Sequence, residues 1–178
     1  MHTVIDKKSN FLRFNLPSTA DYKSLDQLFT TEFYQYAKSN WNIDDILEGN
    51  SLLPANNSDF HKDLEFNYMV NNKNQQFIGY IKGYYPLKNH SLWIQILAVD
   101  SPYLRRGYGR LIVKELVLHI SEESSIGNIF LTCHNNNISG IDFWESLGFH
   151  KIYNIKSTHG LYKADLRSLT CIPNHLKP

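Results

Sequence analysis

Between Leu92 and Leu111 the sequence reads LWIQILAVDSPYLRRGYGRL, which writes a strand, a turn and a helix start into one contiguous run. Leu92, Ile94, Ile96 and Ala98 alternate with Trp93, Gln95, Leu97 and Val99, and the absence of charge predicts a central strand buried on both faces. Asp100, Ser101 and Pro102 end it. Arg105, Arg106, Gly107, Tyr108, Gly109 and Arg110 then lead into an apolar helical pattern, so both glycines fall where a loop becomes a helix N-terminus. Main-chain N–H groups point outward there, glycine lets a ligand approach them, and arginine supplies opposite charge. The segment is therefore an anion cradle by chemistry; the competing reading is a plain turn with a solvated basic surface.

The order of elements favours the first reading. Strand, Val-Asp-x-Pro, Arg-Arg-Gly-Tyr-Gly-Arg and a long amphipathic helix resembles motif A of the GNAT superfamily of acyl-CoA N-acyltransferases, whose loop holds the pyrophosphate of coenzyme A. That loop usually runs Gln or Arg, two residues, Gly, one residue, then Gly or Ala, a frame that falls here on Leu104 to Gly109. Leu104 departs from the pattern. The resemblance implies that Leu104, Arg105, Arg106, Gly107, Tyr108, Gly109 and Arg110 bind the cofactor, largely through main-chain N–H groups.

A chain of 178 residues with 42% hydrophobic content holds one domain with a real core. Eighteen Lys and Arg against seventeen Asp and Glu leave a formal charge of +1, which argues against bulk electrostatic capture of nucleic acid or of an anionic membrane. Two cysteines, Cys133 and Cys171, make no disulfide scaffold. No run reaches the length of a membrane span, and the N-terminus has no signal-peptide core, so a soluble cytoplasmic protein is expected.

Taken in order, Phe11 to Leu16 reads as a first strand and residues 19–31 as a helix with Leu25, Leu28 and Phe29 on its apolar stripe. A second helical region follows, where Tyr34, Tyr36 and Trp41 accompany Asp44 and Asp45. Aromatic faces and carboxylates both attract ammonium groups, so these five are candidate contacts for a cationic acceptor; ordinary helix packing with a solvated acidic face is the alternative. Residues 49–63 read as a long loop. Leu64, Phe66, Tyr68 and Val70 then alternate with Glu65, Asn67 and Met69, predicting a half-buried strand. Phe77 to Tyr85 returns as another, and with the Leu92 strand they form an antiparallel meander. Ile112, Val113, Leu116, Val117 and Ile120 recur at helical spacing, residues 129–133 form a strand, and a further helix starts after Asn137 and closes at Gly148. Ile152 to Lys156 and Leu161 to Leu166 read as the last two strands, turning at Thr158, His159 and Gly160. Residues 167–178 read as an extended or disordered tail.

The helix after Asn137, N-I-S-G-I-D-F-W-E-S-L-G-F, resembles motif B of the same superfamily: Asn137, Gly140, Phe143, Glu145, Gly148 and Phe149 match by position, and Trp144 stands where Tyr is usual. Together the two motifs imply a GNAT fold from about Phe11 to Leu166, in a single domain assigned to residues 1–166. Its class is α/β (α+β), with a central mixed, mostly antiparallel sheet of about seven strands flanked by about four helices and splayed between the fourth and fifth strands. In that gap the resemblance places the pantetheine arm, against the main chain of Leu97, Ala98 and Val99, with Asn137, Phe143 and Trp144 on the cofactor side.

The implied chemistry is N-acetyl transfer from acetyl-CoA to an amine by direct attack in a ternary complex. The family often uses a Glu of the opening strand as base and the motif B Tyr as acid; here Gln95 and Ile96 occupy the strand positions, and the Trp144 indole cannot deliver a proton. Proton transfer then falls to water held by Gln95, or to His134 or Cys133, each of which also reads as an ordinary structural residue. No metal-ligand spacing occurs, so no metal is expected. The expected partners are acetyl-CoA and a small amine or exposed amino group, with no membrane and no nucleic acid, and a homodimer stays open. Alternatives are a protein terminus or aminoacyl-tRNA as acceptor, or a degenerate acyl-CoA-binding regulatory module without turnover.

Overall fold

The computed structural model describes residues 11–30, 65–85, 90–123, 126–156 and 158–170. They build one seven-stranded sheet from β1 (Leu12–Asn15), β2 (Glu65–Asn72), β3 (Phe77–Tyr84), β4 (Ser91–Val99), β5 (Asn128–His134), β6 (His150–Lys156) and β7 (His159–Asp165). The spatial order is β1-β2-β3-β4-β5-β7-β6. Every neighbouring pair is antiparallel except β4 and β5, where helix α2 (Tyr108–Glu123) carries the chain back to start β5 in the same direction. The other described helices are α1 (Tyr22–Thr30), α3 (Ile138–Ser146) and α4 (Leu166–Thr170). This is the expected mixed, mostly antiparallel architecture.

Both faces of the sheet are covered. On one, the stripe Ile112, Val113, Leu116, Val117 and Ile120 of α2 is buried with Leu92, Ile94, Ile129 and Leu131. On the other, Leu25, Leu28 and Phe29 of α1 pack on Met69, Tyr80, Ile96 and Ala98. Burying each such side chain is worth about 1.5–3 kcal/mol, so α1 is held by its three apolar anchors far more than by helix propensity. The expectation of a half-buried β2 is corrected here: Met69, on the supposedly polar face, is buried under α1.

Simple alternation along β4 is corrected too. Gly83 pairs with Ile94 and Lys82 with Ile96, so Gln95 is an extra residue with no partner in β3. This bulge inverts the side-chain pattern: Leu92 and Ile94 join the α2 core, whereas Ile96 and Ala98 join the α1 core. Gly83 permits the close approach, since a Cβ there would overlap the Trp93 carbonyl oxygen and the Phe66 ring.

Three boundaries differ from the sequence reading. Residues 19–21 form a 3-10 turn before α1, with the Asp21 carboxylate accepting both the N–H and the hydroxyl of Ser18 at 2.8 Å. The tail, read as extended or disordered, begins with α4, because Leu169 is fully buried and α4 packs beside α2. His159 and Gly160, expected in a turn, already belong to β7.

Candidate active site

The site begins where two strands part. β4 and β5 pair from Ser91/Asn128 to Ile94/Leu131 and no further. Beyond that point β4 stays with β3, and β5 stays with β7 through Cys133/Gly160 and His134/His159. The Gln95 bulge stands at the branching point. From there on, β4 makes no ladder with β5, and its main chain on that side faces the gap between the two strands. Buried N–H and C=O groups demand partners, so this gap is shaped for an elongated ligand carrying amides of its own. Around it opens a cleft of about 1030 Å³ lined by β4, by the loop before α2, by the end of β5 and by α3.

At one end of the cleft lies the glycine loop. Asp100 accepts the Ser101 N–H at 2.8 Å and ends β4 in a 3-10 turn, Ser101–Tyr103. Arg105 and Gly107 then take left-handed φ values of 56° and 82°, and the Gly107 carbonyl accepts the Leu111 N–H at 3.1 Å to open α2. These two reversals follow an extended Leu104 and carry the chain into the first turn of α2, whose N–H groups have no intrahelical partner, giving an anion nest. Leu104, the departure from the family frame, packs its side chain against the α2-side core. It acts as an anchor there, which leaves the main chain of the loop to bind.

Across the cleft, Asn137 caps α3, its Oδ1 accepting the Gly140 N–H at 3.0 Å. Gly148 at φ 93° closes the helix, donating to the Glu145 carbonyl while the Phe149 N–H donates to Trp144. Arg110 lines the cleft and also ties α2 to α3, donating to the carbonyl and hydroxyl of Ser146 at 3.2 Å. Trp144 is buried in edge-to-face contact with Phe143 and Phe149, at 4.9 and 5.2 Å between ring centres.

The proton-transfer candidates differ in environment. Gln95 lines the cleft, and its buried Oε1 has no hydrogen-bond partner. Burial pushes the Cys133 thiol up to about 11, with a hydrogen bond to the His134 backbone opposing the rise, so it is a neutral thiol at physiological pH. That environment suits a small buried hydrophobe. The His134 ring packs against His159 at 4.9 Å, and its Nδ1 accepts the Asn136 N–H at 3.1 Å, which places the proton of the neutral ring on Nε2.

The structure thus brings Gln95, Leu97, Val99, Leu104, Arg105, Gly107, Gly109, Arg110, Cys133, His134, Asn137, Phe143 and Trp144 around one cavity. Ala98 turns its side chain into the α1 core, so only its main chain is available to a ligand. Arg106 is exposed, and Tyr108 packs edge-to-face on Tyr103 at 5.2 Å. Tyr34, Tyr36, Trp41, Asp44 and Asp45 lie outside the described residues. Sequence reasoning missed Tyr84, Trp93, Tyr103 and His159 as lining residues; Tyr84 and Trp93 become neighbours only through the pairing of β3 with β4, which no local pattern announces. Among the described residues no group of three or more His, Cys, Asp or Glu is placed to hold a metal ion, and no helix is long and apolar enough to cross a membrane.

Residues 22–149 match the model of the acetyltransferase (GNAT) family. A spermine/spermidine N(1)-acetyltransferase of Bacillus subtilis (strain 168) is 31% identical over 62 residues, which cover 35% of this chain and 41% of that relative's length. Among solved structures, an acetyltransferase from Thermus thermophilus superposes with a TM-score of 0.65 at 14% identity, covering 86% of this chain and 96% of that one. Spermidine N-acetyltransferase from Vibrio cholerae, in complex with CoA and spermine, gives 0.66 at 12% identity, with 90% and 99% covered. PaiA N-acetyltransferase from Thermoplasma acidophilum, in complex with coenzyme A, gives 0.64 at 12%, with 86% and 98% covered.

Proposed function

The chain belongs to the acetyltransferase (GNAT) family, an acyltransferase enzyme family, and from that premise we propose that it transfers the acetyl group of acetyl-CoA to a primary alkylamine. The observation that carries this reading is the parting of β4 from β5 at the Gln95 bulge, reached from the anion nest through one continuous cleft. The nest takes the pyrophosphate, the β4 edge pairs with the amides of the pantetheine arm, and the thioester comes to rest at the bulge. Main-chain N–H groups freed there polarise the acyl carbonyl as charge develops on its oxygen. The polyamine substrates named for the Bacillus relative and the Vibrio structure support an amine acceptor.

Reaction proceeds by direct attack in a ternary complex. The neutral amine adds to the carbonyl carbon, its surplus proton passes to water beside Gln95, and the carbon–sulfur bond breaks. An alkylammonium of pKa about 10.4 is neutral in only about one molecule per thousand at pH 7, so deprotonation is the harder proton step. The leaving thiol, with a pKa near 8.5, departs tolerably without a strong acid. The His134 Nε2–H is suited to donate to the departing sulfur; Trp144 orders the channel by packing. Release of free thiol over a panel of alkylamines, with the acetylated amine identified by mass spectrometry, tests this. Turnover with alkylamines is expected, and tight acetyl-CoA binding without thiol release from any amine would favour the regulatory-module alternative.

A further inference from the structure

The two sides of the cleft differ in chemistry. On the α2 side it is lined by the nest and by Phe143 and Trp144, which belong to the core under α2. Leu92 and Ile94 of β4 and Ile129 and Leu131 of β5 turn into that same core, so Trp93 and Phe130 between them point to the opposite face. Tyr84 pairs with Trp93, and Trp93 with Phe130, which sets the three side chains in one row across β3, β4 and β5. Their rings are half-buried and nearly parallel, Tyr84 and Trp93 at 6.0 Å and 2°, Trp93 and Phe130 at 5.0 Å and 21°. Tyr84 and Trp93 line the cleft, and Phe130 backs the Trp93 ring. Lined from both faces at the point where two strands part, the cleft runs through the sheet, with the nest on one side and the aromatic row on the other. The row is neutral: burial pushes the Tyr84 hydroxyl up to about 12, and among the described residues the only carboxylate in the lining is that of Asp142, exposed on α3. A polycation would meet no counter-charge at the row, whereas a flat apolar group would meet aromatic rings.

We propose, building on the acetyltransferase reading, that the acceptor is a primary amine bearing a planar aromatic ring, which packs against Tyr84 and Trp93 while the nitrogen attacks the thioester at Gln95. The strand sets the direction: Val99 adjoins the nest, and Gln95 and then Trp93 follow away from it, so donor and acceptor reach the bulge from opposite ends. Trp93 stands two residues before Gln95 on β4, roughly 6.6 Å of strand, a distance that a linker of about two or three methylenes covers between nitrogen and ring. A ring also loses less conformational freedom on binding than a flexible chain of the same size, and ring-on-ring contact adds to its burial. The transfer step is unchanged: the nitrogen–carbon bond forms, the carbon–sulfur bond breaks, the surplus proton passes to water beside Gln95, and coenzyme A leaves as the thiol.

The test measures thiol release from acetyl-CoA with phenylethylamine, its saturated counterpart cyclohexylethylamine, and diaminopentane. In wild type the KM for phenylethylamine should lie about two- to tenfold below that for cyclohexylethylamine, the equivalent of one aromatic pair, and about tenfold or more below that for diaminopentane, whose second charge finds no partner. Trp93→Leu, which keeps an apolar side chain and removes the ring, should bring the phenyl and cyclohexyl KM values together while acetyl-CoA affinity by calorimetry holds. Tyr84→Leu should narrow the same gap, and it carries the test if the first variant does not fold. No phenyl preference in wild type, a preference that survives both substitutions, or diaminopentane as the best acceptor of the three overturns the proposal. Wild type indifferent to the ring on the amine but favouring phenylacetyl-CoA over acetyl-CoA would assign the row to the acyl group and overturn it as well. If no amine releases thiol, the acetylation reading fails, and calorimetry of phenylethylamine against the protein with saturating coenzyme A still decides the subsite: binding weakened in Trp93→Leu upholds it, and equal or absent binding overturns it.

Discussion

Gly107 is where backbone geometry and anion binding meet, and its replacement separates the two. At φ 82° an alanine Cβ crowds the following carbonyl, a cost of about 1–2 kcal/mol. For a domain of this size that lowers Tm by about 2–8 °C. Should the loop relax to negative φ instead, the N–H groups around Tyr108 and Gly109 swing away from the nest. Each hydrogen bond to a charged phosphate is worth about 1.5–3 kcal/mol, so losing one weakens acetyl-CoA about 10- to 150-fold. Asparagine tolerates left-handed φ, so Gly107→Asn should keep most of the stability that Gly107→Ala loses. Gly107→Glu, which puts a carboxylate beside the pyrophosphate, should abolish binding. Titration calorimetry and thermal melts on this series measure both effects. An alanine variant with wild-type affinity and Tm would refute the geometric reasoning, and a glutamate variant with wild-type affinity would refute the anion site.

Trp144→Phe should keep most activity, since the contacts with Phe143 and Phe149 survive in part, whereas Trp144→Ala should lose about 3–5 kcal/mol of stability and most of kcat. Trp144→Tyr should hold or raise kcat; a large fall in steady-state assays would contradict the packing role. The Cys133 thiol, raised on folding to about 11, contributes stability that is full below its unfolded pKa near 9 and is lost as pH rises toward 11. Two units correspond to at most about 3 kcal/mol, so denaturant melts of wild type should weaken across that window while Cys133→Val stays flatter. A Cβ at residue 140 would lie 2.5 Å from the Asn137 amide nitrogen, so Gly140→Ala and Asn137→Ala should each cost about 1 kcal/mol and the double variant less than their sum, by denaturant melts.

What could be read from the sequence, and what could not, divides by range. Asn137, Gly148 and the α2 stripe announce themselves because caps and helical periodicity are local, and the structure places them as the spacing requires. The Gln95 bulge was hidden: it depends on Gly83 of the neighbouring strand making room for the Trp93 carbonyl, a contact between residues whose sequence neighbours show only alternation. Met69 was misplaced for a related reason, because a strand's pattern cannot reveal that a helix 40 or so residues away covers its second face. A single buried residue, Leu169, holds α4, too little to register as periodicity. The aromatic row was present in the sequence, but only strand pairing makes Tyr84, Trp93 and Phe130 neighbours.

A crystal structure with a non-transferable acetyl-CoA analogue bears most directly on the cleft between β4 and β5. The pyrophosphate should lie within hydrogen-bond reach of the main-chain N–H groups from Arg105 to Arg110, the pantetheine amides should pair with the β4 edge beyond Ile94, and the acyl carbonyl oxygen should meet an N–H at the Gln95 bulge. Analogue bound elsewhere on the chain, or seated in the cleft with its carbonyl pointing away from the bulge, would contradict the account.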